Sequence, residues 1–187
     1  MDFSIDESNP IEITSLSADP LCFGESTGNI DVEVTGDFPP FNQQWTSING
    51  LDVSGIDLDI SDLDADTYTL LVTDDQGCTA TTTITLEDPE DLLASLALTE
   101  PGCDLSNGEG VATVTGGTIA VDYVYDWSIA GGASIGSTSA QTGMPAGAYV
   151  FSVRDDQGCN VSIEFELSDE IGSISAAITD ATCFGDT

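Results

Sequence analysis

Apolar and polar residues alternate in short runs along most of the chain. Ile30, Val32 and Val34 alternate with Asp31 and Glu33, and Ile56, Leu58 and Ile60 alternate with Asp57 and Asp59. A period of two sends one set of side chains to a core and the other to water, so these runs predict half-buried β-strands. Tyr68, Leu70 and Val72 continue the pattern up to Asp74-Asp75-Gln76-Gly77, where a tight turn leads into a Thr-rich strand from Cys78 to Leu86. That arrangement is a hairpin, with glycine supplying the positive φ the turn requires. The same reading holds from Tyr149 to Val153, through a turn at Asp155 to Gly158, into a strand from Cys159 to Leu167. Further strands are expected at Ile11 to Ala18 and Leu92 to Leu98. No helical periodicity of useful length occurs.

The strands come in two sets because the sequence repeats. Cys22 and Cys78 are 56 residues apart, as are Cys103 and Cys159. Thr73-Asp74-Asp75-Gln76-Gly77-Cys78 returns as Arg154-Asp155-Asp156-Gln157-Gly158-Cys159, and Trp45 and Tyr68 return as Trp127 and Tyr149. The period of about 80 residues is too long for a solenoid unit and long enough for a small domain with its own core. About seven short strands per repeat, separated by Gly, Pro, Asn and Asp, predict an all-β fold of tandem immunoglobulin-like β-sandwiches. Trp45 and Trp127 belong on a central, core-packed strand. The boundaries that follow are 1–9 as the tail of a preceding repeat and a linker, 10–88 and 89–169 as the two repeats, and 170–187 as the first strand of a following one. The linkers are short and acidic, so a semi-rigid rod is expected.

Domains of this size gain only modest stability from a hydrophobic core, which makes a covalent staple valuable. The expected pairing lies within repeats, Cys22 with Cys78 and Cys103 with Cys159, leaving Cys183 to find a partner in sequence beyond this chain. Such bridges persist in oxidising compartments, which places the protein outside the cytosol. A zinc site is disfavoured, because there is no histidine and no Cys-x-x-Cys pair.

Charge narrows the partners. Arg154 is the single cation against 34 Asp and Glu, a net charge of −33, which forbids electrostatic binding to nucleic acid or to an anionic membrane surface. No stretch has the apolar length to span a bilayer, and the start lacks the features of a signal peptide. The absence of histidine removes the ordinary general base, so no enzymatic activity is expected.

The segment Cys22-Phe23-Gly24-Glu25-Ser26-Thr27-Gly28, followed by Pro39-Pro40-Phe41, Trp45, Asp66-Thr67-Tyr68 and the Asp74 to Cys78 ending, closely resembles the SprB repeat. The second repeat departs from it, with Gly102-Cys103-Asp104-Leu105 at its opening and no proline pair. The resemblance implies repetitive cell-surface adhesins of gliding or predatory Bacteroidota, exported by type IX secretion. On that basis these are expected to be stalk repeats of an extracellular filament at the bacterial cell surface.

Calcium is the cofactor to weigh, since Ca²⁺ takes several oxygen ligands and relieves repulsion among carboxylates. The candidates are the linker acids Glu87, Asp88, Glu90 and Asp91 and the turn pairs Asp74, Asp75 and Asp155, Asp156. For the turns the competing reading is that Asp and Gly simply favour that geometry. Partners expected besides neighbouring repeats are copies of the chain in a filament, through unpaired strand edges at the termini, or a surface glycan. A glycan site would use exposed aromatics, for which Phe38, Phe41, Tyr123 and Tyr125 are the candidates.

Overall fold

A computed structural model describes residues 9–50, 58–103 and 105–169. All of its regular elements are strands. The first repeat contains β1 (Glu12–Ala18), β2 (Gly28–Thr35), β3 (Asn42–Ser47), β4 (Ile60–Leu63), β5 (Thr67–Thr73) and β6 (Thr79–Thr85). The second contains β7 (Leu93–Thr99), β8 (Gly108–Thr115), β9 (Val124–Ile129), β10 (Ser134–Gly136), β11 (Ala140–Met144), β12 (Gly147–Arg154) and β13 (Asn160–Leu167). Six and seven strands, among the described residues, agree with the count expected from the alternating runs. The partial strands expected at the two termini, and Cys183, lie outside the described residues.

Four sheets form, with strand orders β1-β2-β4, β3-β5-β6, β11-β8-β7 and β10-β9-β12-β13. The first two enclose one core. Ile30 and Val32 of β2, Ile60 and Leu63 of β4, Trp45 of β3 and Tyr68, Leu70 and Val72 of β5 pack together with Leu86, and Ile13 and Ile84 lean on them from β1 and β6. This is the sandwich that the period-two pattern demands: Asp31 and Glu33 between the buried β2 residues face out. In the second repeat, Met144 of β11 and Tyr149 of β12 cluster with Leu167, and Ile135 and Phe165 pack against them, so residues of both its sheets share a core. Trp45 and Trp127 are both fully buried.

Each tyrosine of the pair ties its corner down. The Tyr68 hydroxyl donates to the Asp64 carbonyl at 2.9 Å, and the Tyr149 hydroxyl to the Pro145 carbonyl at 2.7 Å. Burial of the rings raises both phenol pKa values above the ordinary one. Both hydroxyls therefore stay protonated donors throughout the neutral range.

The chain divides into two compact units. One takes Met1–Ala94, Val114–Val124 and Val153–Val161, and the other takes Ser95–Thr113, Tyr125–Ser152 and Ser162–Thr187. These units do not coincide with a cut at 88/89, because residues 114–124 and 153–161 of the second repeat group with the first.

Candidate functional site

The distinctive chemistry of the chain is its sulfur, and it is assembled from two kinds of loop. The first kind is the turn that closes the β5–β6 and β12–β13 hairpins. Asp74 is buried, and its Oδ1 accepts the amides of Gln76 at 2.9 Å and Cys78 at 2.8 Å. The Asp74 amide donates to the Cys78 carbonyl, and Gly77, at φ 83°, donates to the Asp74 carbonyl. Asp155 repeats the arrangement, accepting Gln157 at 3.0 Å and Cys159 at 2.9 Å, with Gly158 at φ 95°. A short acceptor side chain that can reach the amides two and four residues on, and a glycine in the left-handed region, are what fold Asp-Asp-Gln-Gly-Cys this way. Each cysteine is thereby presented at the head of its final strand.

The second kind is the loop after β1. The Leu21 amide donates to Thr27 Oγ1 at 2.8 Å and Glu25 to the Cys22 carbonyl at 3.1 Å, which curls the Cys22-Phe23-Gly24 segment on itself. Two bonds fasten this loop to the exit of β6: Gly24 donates to Asp88 Oδ1 at 3.1 Å, and Glu87 donates to Asp19 Oδ1 at 3.0 Å. The second repeat keeps the latter clamp, with the Ser168 amide donating to Glu100 Oε2 at 2.5 Å.

These placements overturn the expected sulfur pairing. Cys22 is bonded to Cys159, with Cα atoms 5.6 Å apart and a sequence separation of 137. Cys22 does not pair with Cys78, and Cys159, being taken, does not pair with Cys103. The reason is the polarity of the last strand. Cys22 is held at the end of β6, beside Glu87 and Asp88, whereas Cys78 stands just before its start. Seven strand residues at about 3.3 Å each separate those positions by roughly 23 Å, far beyond the Cα separation of about 7 Å that a disulfide tolerates. The Glu100–Ser168 clamp and the position of Cys159 ahead of Asn160 repeat that polarity in β13. Cys78 is an exposed free thiol, and Cys103 is exposed.

The carboxylates named as calcium ligands do not converge. Among the described residues no group of three or more His, Cys, Asp or Glu side chains is arranged to hold a metal ion. Asp74 and Asp155 are occupied as turn caps, and Asp155 Oδ2 also accepts the Thr118 amide at 2.8 Å. Asp75 and Asp156 donate their amides to the carbonyls of Phe38 and Thr118. The Asp156 side chain accepts the amides of Ala120 and, at 3.0 Å, Val121, and these bonds hold its carboxyl below the usual carboxylate range. Asp37, holding the backbone and side-chain amides of Asn9, is lowered for the same reason. Of the linker acids, Asp88 caps Gly24, while the Glu90 carbonyl accepts the Gly117 amide at 2.9 Å; Glu87, Glu90 and Asp91 have exposed side chains.

The aromatic candidates are also largely spent on packing. Phe41 packs against the first core, the Tyr123 hydroxyl donates to the Gly116 carbonyl at 2.7 Å, and Tyr125 lies 6.3 Å from the Phe151 ring. Phe38 is exposed, as is Phe23 beside the disulfide. Phe23 was not among the glycan candidates; its place directly after Cys22 was the available signal.

Comparison with known proteins gives three findings. No curated protein matches the chain. One similar solved structure is Down Syndrome Cell Adhesion Molecule (DSCAM) isoform 1.30.30, N-terminal eight Ig domains, at 14% identity and a TM-score of 0.44, covering 87% of this chain. The chain spans 25% of that structure's length. The model of the SprB repeat matches residues 14–50, which run from within β1 through the Cys22-Phe23-Gly24 loop and β2 to just beyond β3. Residues 14–50 are thus similar to the SprB repeat, and they lie in the first of two β-sandwiches.

Proposed function

We propose that this chain is a non-enzymatic, load-bearing segment of an extracellular bacterial surface adhesin, in which sulfur links sequence of one repeat to sequence of the next. The observation that carries the reading is the Cys22–Cys159 bond, which closes one covalent loop across a sequence separation of 137. In the chain-entropy picture a loop of that length removes unfolded-state freedom equivalent to about 5 kcal/mol. The bond also requires an oxidising compartment, in keeping with export. The SprB match over residues 14–50 supports an adhesin context.

A glycan-binding role has less to stand on, because Phe41, Tyr123 and Tyr125 are committed to intramolecular contacts. Catalysis has less still: the chain holds no histidine, and the buried carboxylates Asp74 and Asp155 serve backbone amides.

Pulling single molecules from the two ends tests the load-bearing role. Residues enclosed by the bond cannot extend, so the oxidised chain should fall short of the reduced chain by about 480 Å, at roughly 3.5 Å for each residue-to-residue step across the separation of 137. An extension that reductant leaves unchanged would remove the basis for a sulfur-reinforced stalk.

A further inference from the structure

The two closing turns are near copies, yet only one carries a bonded cysteine. Asp74 and Asp155 are both buried, cap the same amides two and four residues on, and receive the same glycine bond. The amide of the next residue donates in each case to a carbonyl of the loop after the second strand, Asp75 to Phe38 at 3.1 Å and Asp156 to Thr118 at 3.2 Å. Cys78 and Cys159 are therefore presented by equivalent backbones at the heads of β6 and β13. Cys159 is occupied by Cys22, whose loop is held at the opposite end of the first repeat's last strand; Cys78 is exposed and free.

From this equivalence we infer that Cys78 is a docking and bonding site for the Cys-Phe-Gly loop of a further copy of the repeat. The opening cysteine of each repeat would then bond the closing cysteine of the one after it. A cysteine held at the exit of its own sandwich cannot reach its own repeat's closing turn, so only a neighbour's turn is available. The Cys159 sulfur shows the form of the docking: it lies 3.3 Å from the Leu21 carbonyl oxygen, beside Phe23 and Val161. Bond formation joins two thiols as one S–S link while a low-molecular-weight disulfide such as glutathione disulfide takes up both electrons and both protons, leaving as two glutathione thiols. The inference needs from the stalk reading only an oxidising compartment, and its failure would leave the Cys22–Cys159 bond and that reading intact.

The test uses the whole chain and a synthetic peptide with the sequence of residues 19–29, incubated in a glutathione redox buffer, with mixed disulfides located by mass spectrometry after non-reducing digestion. A scrambled peptide that keeps its cysteine measures non-specific exchange. The expected result is about tenfold more native peptide than scrambled peptide at Cys78, the preference that roughly 1.4 kcal/mol of sequence-specific contact gives. Equal capture of the two peptides at Cys78 would overturn the proposal.

Discussion

At the level of single residues, the two repeats solve the same packing problem with different volumes. Gly110 of β8 stands where β2 has Ile30, and Phe151 of β12 stands where β5 has Leu70; all four are buried. A Cβ on Gly110 would come within 2.6 Å of the Trp127 ring, which in turn sits 4.7 Å from the Phe151 ring and edge-on to Phe165. The Trp127 ring thus occupies the space that the missing side chain of Gly110 leaves and rests against the larger phenylalanine, so close packing couples the two positions through it. Gly110→Ile alone should destabilise the protein by about 3 kcal/mol through overpacking. Adding Phe151→Leu should recover part of that loss, a coupling of about 1–3 kcal/mol measurable from urea midpoints of the single and double variants. Strictly additive losses would show that the two positions do not share one space. Alternation along β2 and β5 was enough to identify Ile30, Val32, Tyr68, Leu70 and Val72 as core. It could not reveal the Gly110–Phe151 exchange, which depends on which strands face each other.

At the level of elements, the Asp-Asp-Gln-Gly-Cys turn is the best-specified unit, and it was legible in advance because its chemistry is local. Asp reaches its own amides, Gly supplies φ, and the flanking strands alternate; nothing distant is required. What the sequence hid was the use of the second carboxylate. Asp156 fastens Ala120 and Val121, more than thirty residues upstream, and no spacing rule connects them. Because those amides lower its pKa, the stabilisation by Asp156 is fully present above the unfolded carboxylate value and fades as pH falls through its lowered folded value. Asp156→Asn should therefore melt below the parent at neutral pH, and the gap should close as acidification approaches pH ~3. Thermal melts of both proteins from neutral to acid pH check this. A gap that stays constant, or widens in acid, would mean that the carboxylate charge plays no part.

For the molecule as a whole, the repeat was plain from sequence but its cross-linking was not. Spacing of 56 residues in each copy invites a bridge within the copy, since equal intervals recur whether sulfurs join within units or between them. The deciding fact is strand polarity: the opening loop is clamped to Glu87 and Asp88, and the closing cysteine begins the same strand that ends there. That could have been anticipated from Cys78 preceding its strand while Cys22 follows its own, had the first and last strands been recognised as running the same way. The acidic character, in contrast, was visible at once but less informative, because Asp74, Asp88, Asp155 and Asp156, half of the carboxylates that resemble ligands, are acceptors for backbone amides.

The pattern of sulfur pairing is thus the point on which the molecular account turns. Non-reducing digestion with proteases that cut at Asp and Glu, which are plentiful here where Arg154 offers trypsin a single site, followed by mass spectrometry, reads it directly. A linked peptide pair containing Cys22 and Cys159 is the predicted result. Pairs joining Cys22 to Cys78 and Cys103 to Cys159 would contradict it.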